Sequence, residues 1–328
     1  MAHVVLIKIA AMFLVIVVGW LARKRGFLAD EFTATLSRLV VDAAFPALVF
    51  TQMLRTVDAA TLRENWYSPL LCGLLIIVAY LVGLMASPLF SNKTQRNTFI
   101  FLVAIPNWVF LPLPIAEALY GNAGVRIVLL CNAGAQLVLW SFGVWILHGT
   151  VRQAARNLLT NAGLWATALG IVTALIFPAT RELESIDPLT ASASGVIGGA
   201  IVQALAMVGS LTIPLSLLAI GAQLGGLTIA VHRFPRALWG VLLARLIFAP
   251  LVTLGLGWAA IWMGLQIPEV TRMVCYLIAS MPVAISCSVM AERYGGDAQL
   301  AAQGIFYSTF FSLLTVPAIF LLVQRFGL

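Results

Sequence analysis

Apolar residues fill long stretches of this chain, and polar residues are confined to the short segments between them. Crossing the hydrocarbon core as a helix takes about 20 apolar residues. The stretches are too long and too uniformly apolar for the strands of a barrel. Ten of them match a membrane-spanning helix, at residues 4–22, 32–53, 67–87, 97–119, 123–148, 158–177, 200–226, 234–264, 270–292 and 298–324. The pattern therefore predicts an all-α polytopic membrane protein with ten transmembrane helices.

Composition supports a lipid environment. The 328 residues are 62% hydrophobic and 9% charged, whereas a soluble domain has about 25% charged residues. The formal net charge is +7, but the basic residues lie in short loops between apolar stretches. They indicate membrane topology rather than a nucleic-acid partner. We expect the lipid bilayer to be the main solvent of the fold.

The distribution of Lys and Arg predicts the orientation in the membrane. Ten basic residues fall on one side and six on the other, the C-terminus included. The richer side should be cytoplasmic, so both termini are predicted outside. The first apolar stretch has basic residues after it rather than before it, which favours a retained helix over a cleaved signal peptide. The basic residues of the cytoplasmic set are Arg23, Lys24, Arg25, Lys93, Arg96, Arg152, Arg156, Arg233, Arg236 and Arg293.

The two halves of the chain resemble each other. Prolines lie in the middle of the second and seventh stretches, at Pro46 and Pro214. The fourth and ninth stretches share a central proline, a glutamate and a Tyr-Gly pair: Pro106, Glu117, Tyr120 and Gly121 in one, Pro282, Glu292, Tyr294 and Gly295 in the other. Residues 1–160 and 161–328 are therefore predicted to form two five-helix repeats. An odd number of helices per repeat inverts the second, as in many secondary transporters.

The prolines of the fourth and ninth stretches predict interrupted helices. Pro106, Pro112 and Pro114 fall within nine residues of one span, and each proline removes a backbone donor. Pro282 should break the ninth span at a matching depth. Half-helix N-termini at such breaks favour an anion such as a carboxylate, and the opposing C-termini favour a cation or a proton donor.

Several short motifs occur in the order and spacing of a known family. They are Pro106-Asn107, Met281-Pro282, Tyr307-Ser308-Thr309 and Thr315-Val316-Pro317, together with the mid-membrane prolines of both halves. With ten spans in two halves, the chain resembles the auxin efflux carrier family of bacterial and plant permeases. The short connection between the halves is typical of a compact bacterial member.

The resemblance implies a fold similar to that of bile-acid/sodium symporters, with helices 4 and 9 crossing at their broken centres. Helices 1, 2, 6 and 7 would form a scaffold, and helices 3–5 and 8–10 a mobile transport domain. It also implies a homodimer formed through the scaffold and a location in the bacterial inner membrane. The substrate would be a small organic anion, such as malonate, malate or an auxin-like acid, moved by elevator-type alternating access. Coupling to protons, coupling to sodium and uniport stay open, and a sodium-coupled bile-acid-type symporter is the alternative.

The same resemblance points to the residues of the crossover. They are Pro106, Asn107 and Trp108 in the first half and Met281, Pro282 and Val283 in the second. Polar residues in neighbouring spans are further candidates for the cavity, although each alone is typical of contacts between membrane helices. These are Asn132 and Gln136 in the fifth stretch, Ser286 and Ser288 in the ninth, and Gln303, Ser308 and Thr309 in the tenth.

Two charged residues lie deep enough in apolar stretches to require an explanation, since a charge in mid-membrane costs about 2.5–3.5 kcal/mol. Arg245 either extends to the cytoplasmic surface or attracts the substrate carboxylate, for which its two parallel donors are suited. Asp42 either pairs with Arg38 one turn earlier or titrates beside the cavity. Asp42, Gln303 and Ser308 are our candidates for ion or proton coupling.

Other classes of protein fit the sequence less well. The HExxH and GxSxG motifs are missing from the chain, so we do not expect an enzyme. No P-loop is present, which argues against direct ATP drive. The four cysteines, Cys72, Cys131, Cys275 and Cys287, lie within apolar stretches and are predicted to be small core residues. No cofactor or metal is predicted.

Overall fold

The computed structural model describes residues 2–147, 156, 159–182, 193–226 and 236–326. These residues are almost entirely helical or in short connections, and they contain one isolated β-bridge but no strand. The α-helices are α1 (Ala2–Lys24), α2 (Asp30–Leu39), α3 (Phe45–Thr56), α4 (Ala59–Asn65), α5 (Ser68–Ala86), α6 (Lys93–Ala104), α7 (Pro112–Val138, followed by a π turn and a short helix to Ile146), α8 (Ala162–Ile176), α9 (Ala193–Ser210), α10 (Thr212–Gly226), α11 (Arg236–Leu243), α12 (Ala249–Trp262), α13 (Glu269–Ala279), α14 (Ser286–Arg293) and α15 (Ala298–Phe326).

Several of these helices join into segments that suit a membrane. Within the described ranges, six segments are long and apolar enough to cross one: Asp30–Thr56, Ala59–Ala86, Pro112–Gly143, Gly195–Gly226, Arg236–Trp262 and Ala298–Val323. The helix α8 is apolar but shorter. These segments confirm the prediction of an all-helical, multi-pass membrane protein. The count of ten crossings and their inverted arrangement stay predictions.

The chain divides into two compact units. One unit contains Met1–Leu14, Ser68–Leu159 and Leu227–Leu328, and we call it the crossover unit because both Pro106 and Pro282 belong to it. The smaller unit contains Val15–Tyr67 and Thr160–Gly226. The assignment of transport and scaffold roles to groups of helices stays a prediction.

Small residues allow close helix packing inside the smaller unit. A Cβ atom added at Gly221 of α10 would lie 1.9 Å from the carbonyl oxygen of Ile16 in α1. A Cβ at Gly19 would lie 2.2 Å from the carbonyl oxygen of Leu218. Side chains at either position would separate the two helices, and small residues at such contacts are typical of membrane proteins. Pro46 follows a π turn at Val40–Ala44 and lies in the first turn of α3, where a missing N–H is tolerated.

The predicted interruptions at Pro106 and Pro282 are both present in the crossover unit. The helix α6 ends at Ala104 and α7 begins at Pro112, while α13 ends at Ala279 and α14 begins at Ser286. We call residues 105–111 the first break and residues 280–285 the second break. The core around them is closely packed, and the four cysteines are buried and free, as predicted.

Each break is followed by a short helical stretch that ends at a glycine. Gly121 has a φ of 56° and divides α7 into two helical parts, and Gly295 has a φ of 74° just after α14. Glycine adopts positive φ without the steric cost that other residues incur. The Tyr-Gly pairs noticed in the sequence therefore mark equivalent turns in the two halves of the crossover unit.

Candidate functional site

The first break is stabilised within its own sequence. Ile105 has extended backbone angles, φ −105° and ψ 95°, which end α6. The side-chain Oδ1 of Asn107 then accepts a hydrogen bond of 3.2 Å from the backbone N–H of Phe110, as an N-cap residue does at a helix start. Pro112 begins α7, where its lack of an N–H is harmless. The Pro106-Asn107 sequence thus follows the end of α6 and supplies the capping side chain before α7.

The two breaks pair with each other. Pro106 and Val283 form an antiparallel bridge. The N–H of Asn107 donates to the carbonyl of Pro282 at 2.8 Å, and the N–H of Ala284 donates to the carbonyl of Ile105 at 3.1 Å. In this register the bonds flank the Pro106–Val283 pair, so neither residue of the pair donates to the other. Pro106 therefore occupies a position where the pairing requires no N–H.

The N–H of Val283 has no acceptor in the opposite segment and bonds instead to a residue of another helix. It donates to the Oγ of Ser308 in α15 at 3.1 Å, and both residues are buried. Met281 and Pro282 are buried as well. The structure therefore brings all six predicted crossover residues together and adds Ser308 to them.

Arg245 lies at the same crossover, in a π turn between α11 and α12, and is only 1% exposed. Its Nε donates to the carbonyl of Met281 at 3.1 Å, and its Nη1 donates to the carbonyl of Val103 at 2.9 Å. Its Nη2 donates to the carbonyl of Ala279. The side chain is therefore turned inward and does not extend to the surface. All three guanidinium nitrogens contact backbone carbonyls, so the predicted contact with a substrate carboxylate stays a prediction.

A second polar group lies on α7. The indole Nε1 of Trp108 donates to the Oδ1 of Asn132 at 3.0 Å, and the Nε2 of Gln136 donates to the same oxygen at 3.4 Å. Asn132 is 1% exposed, and its Nδ2 has no hydrogen-bond partner among the described residues. A buried donor without an acceptor is costly. Asn132 thus offers an N–H pair beside the crossover to an incoming acceptor.

The remaining predicted residues lie at varying distances from this cluster. Ser286 is the first residue of α14, directly after the second break, and is exposed. Gln303 is buried on α15, five positions before Ser308. Asp42 belongs to the smaller unit and is exposed, as is Arg38. The predicted ion pair between Arg38 and Asp42 is not present in the structure. The ion pair seen within the described ranges joins Arg23 to Asp30.

One polar residue beside the crossover, Ser312, was not among the residues predicted from the sequence. A small apolar cavity of about 10 Å³ is lined by Met12, Phe13, Leu111, Ile115, Met281, Ser312 and Val316, which is room for about one water molecule. Ser312 lies one helical turn after Ser308, and its Oγ donates to the carbonyl of Thr309 at 2.7 Å. The spacing of four residues between the two serines was the available signal for a shared face.

Comparison with known proteins identifies the family of the chain. A family model described as "Membrane transport protein" matches residues 4–156 and 146–320. The chain belongs to this family. The match confirms the resemblance to the auxin efflux carrier family that the motifs indicated.

Two archaeal relatives cover nearly the full length of this membrane transport protein. An uncharacterized transporter of Methanothermobacter thermautotrophicus is 26% identical over 318 residues, which is 94% of this chain and 95% of the relative. An uncharacterized transporter of Methanocaldococcus jannaschii is 24% identical over 311 residues, or 92% and 94% of the two chains. Membership supports a multi-pass membrane transporter.

Proposed function

We propose that this membrane transport protein carries a small organic anion, such as a malonate-like or malate-like carboxylate or an auxin-like acid, by alternating access. The observation that carries the proposal is the pairing of the two breaks around Pro106 and Val283. Interrupted helices are tolerated at membrane depth only where protein buries them or where they line a wet cavity. Carriers commonly bind substrate at such a crossing of discontinuous helices.

The charge pattern around the breaks favours an anion. The N-terminal ends of α7 and α14 follow the two breaks, and each carries a partial positive charge. The Nδ2 of Asn132, which has no hydrogen-bond partner in the described part of the chain, adds a neutral donor nearby. The carbonyl groups of Val103 and Ala279 at the opposite helix ends, and that of Met281 in the second break, are already bonded to Arg245. A carboxylate would therefore meet two partial positive charges and the amide of Asn132, with fewer free acceptors to repel it.

The small cavity beside Met281 is compatible with alternating access. It has room for about one water molecule, so a carboxylate would fit into this cavity only in another conformation. The chain divides into two compact units, and an elevator-type mechanism requires two such units that move relative to each other. By analogy with the family, the smaller unit would act as the scaffold and as the surface for a homodimer.

The test is uptake into proteoliposomes that contain the purified protein. Labelled malonate, malate and indole acetate are offered under imposed proton or sodium gradients, and at least one should accumulate in a saturable manner. Failure of every carboxylate under every gradient would remove the substrate class from the proposal. Flux that rises without saturation would favour a channel.

One substitution links uptake to the crossover. Asn107→Ala should abolish uptake while the protein remains folded, because the first break then loses its side-chain acceptor. Asn92→Ala is the matched control, since Asn92 Oδ1 likewise accepts from the backbone N–H three residues later, at 3.1 Å, but at the exposed start of α6. Equal uptake by both variants would exclude Asn107 from the site.

A further inference from the structure

Two carbonyl groups at the crossover have lost their usual helical partners. In a continuous helix, the carbonyl of Val103 would accept from Asn107 N–H, and that of Ala279 from Val283 N–H. Here Asn107 N–H donates to Pro282 and Val283 N–H donates to Ser308. The carbonyl of Met281 lies within the second break. Three acceptors therefore converge where α6 and α13 end.

Such a group of carbonyls is suited to a cation. Helix C-termini carry a partial negative charge, and in many carriers the unwound carbonyls and half-helix C-termini coordinate Na⁺ or H⁺. In this chain the guanidinium of Arg245 bonds to all three oxygens, with distances of 3.1 Å to Met281 and 2.9 Å to Val103. The position that would suit a coupling cation is thus filled by a side chain.

The charge of Arg245 has no carboxylate to balance it among the residues that the structure describes. Burying an unpaired charge is costly, and an apolar residue at this position would avoid that cost. Arginine stays protonated at neutral pH. A permanent cation is therefore held against the negative ends of two helices, and its only polar contacts seen here are backbone carbonyls.

We propose that Arg245 is a tethered cation that replaces a coupling ion, so that this crossover binds and moves its substrate without sodium or another small metal cation. A diffusible cation binds and leaves in each cycle and thereby couples transport to its gradient. A tethered cation cannot leave, and it neutralises the helix ends in every state. The proposal rests on the proposed carrier function and specifies how the same site is driven.

The first experiment uses stability and needs no knowledge of the substrate. Arg245→Ala should lower the Tm of the purified protein by roughly 5–15 °C, because three buried acceptors lose their donor. Guanidinium ions at low millimolar concentration should restore a substantial part of that loss by binding in the vacated position. No restoration by guanidinium, sodium or potassium would overturn the proposal.

Arg236→Ala is the matched control. Arg236 begins α11, nine positions before Arg245, and is exposed. Its removal should change the Tm little, and guanidinium should have the same small effect on it as on the native protein. A similar guanidinium response in Arg236→Ala and Arg245→Ala would show that the ion acts elsewhere, and the proposal would be wrong.

Two further variants separate charge from packing if Arg245→Ala does not fold. Arg245→Lys keeps the positive charge, and Arg245→Met keeps a similar length without it. A tethered cation predicts a higher Tm for Arg245→Lys than for Arg245→Met. A side chain that only fills space predicts the reverse, because the apolar residue avoids the cost of a buried charge.

The last measurement uses the native protein in proteoliposomes. Replacing sodium with choline on both sides should leave the initial rate of carboxylate uptake unchanged. A fall of tenfold or more would overturn the tethered cation while leaving the carrier function intact, and it would favour the sodium-coupled alternative. Absence of any uptake in either medium would count against the proposed function instead, since the stability measurements decide the role of Arg245 independently.

Discussion

The two breaks share a backbone plan, but they obtain their support from different places. In the first break, Asn107 Oδ1 accepts from Phe110 N–H, so donor and acceptor lie within three residues of each other. In the second break, the N–H of Val283 donates to Ser308, which is 25 positions away on α15. The backbone of the first break is therefore capped by a side chain of the same segment, whereas the backbone of the second break obtains a side-chain acceptor from a neighbouring helix.

The hydrogen bonds of Arg245 are also divided unequally between the two breaks. Arg245 makes one hydrogen bond to the end of α6, at Val103, and two to the chain around the second break, at Ala279 and Met281. Local support survives rearrangements elsewhere, whereas support from a distant residue is lost when that residue moves. We expect the second break to be more sensitive to distant substitutions and to change more during transport.

The largest effect should follow from separating the two breaks. Ala284→Pro removes the N–H that donates to Ile105 and leaves a buried carbonyl without a donor. We expect the free energy of unfolding to fall by about 2–3 kcal/mol, measured by thermal or denaturant unfolding in detergent. Ala284→Gly, which keeps the N–H, is the control and should lose only about 0.5–1 kcal/mol. Equal losses would show that the pairing contributes little.

A smaller effect is expected at the contact that supports the second break alone. Ser308→Ala leaves the N–H of Val283 buried without an acceptor, which costs about 1–3 kcal/mol. Ser312→Ala is the control, because Ser312 lies one turn later on α15 and its Oγ bonds only within that helix among the described contacts. We expect it to lose less than about 1 kcal/mol. Equal unfolding free energies for the two variants would contradict the dependence of the second break on Ser308.

The sequence predicted the first break better than the second for a physical reason. Pro106, Asn107 and Pro112 all act on the backbone within a few residues, so their effect can be read from spacing alone. The turn at Gly121 was visible in the same way, as a gap between apolar stretches. Val283 and Ser308 were both named as candidates, but the hydrogen bond between them was not predicted, because a bond between distant segments leaves no local pattern.

Arg245 and Asp42 show where inference from the sequence stops. A charge within an apolar stretch signals that something compensates it, but spacing does not reveal backbone carbonyls that are 34 to 142 positions away, as those of Arg245 are. The pairing of Asp42 with Arg38 assumed regular helix geometry. The π turn at Val40–Ala44 changes the angular relation of the two residues, and both are exposed in the smaller unit. Apolar patterns predict helices well, yet they do not predict such local changes in winding.

The smallest effect on stability is expected at the locally supported break. Asn107→Ala removes the acceptor of Phe110 N–H, but Phe110 is only half-buried, so water can take the place of the side chain. We expect a loss of about 1 kcal/mol, similar to that of Asn92→Ala. The two variants should then differ in carboxylate uptake while their unfolding free energies agree. A greater loss of stability for Asn107→Ala than for Ser308→Ala would contradict this order of the two breaks. The first break would then depend more on its own side-chain acceptor than the second break depends on the acceptor from α15.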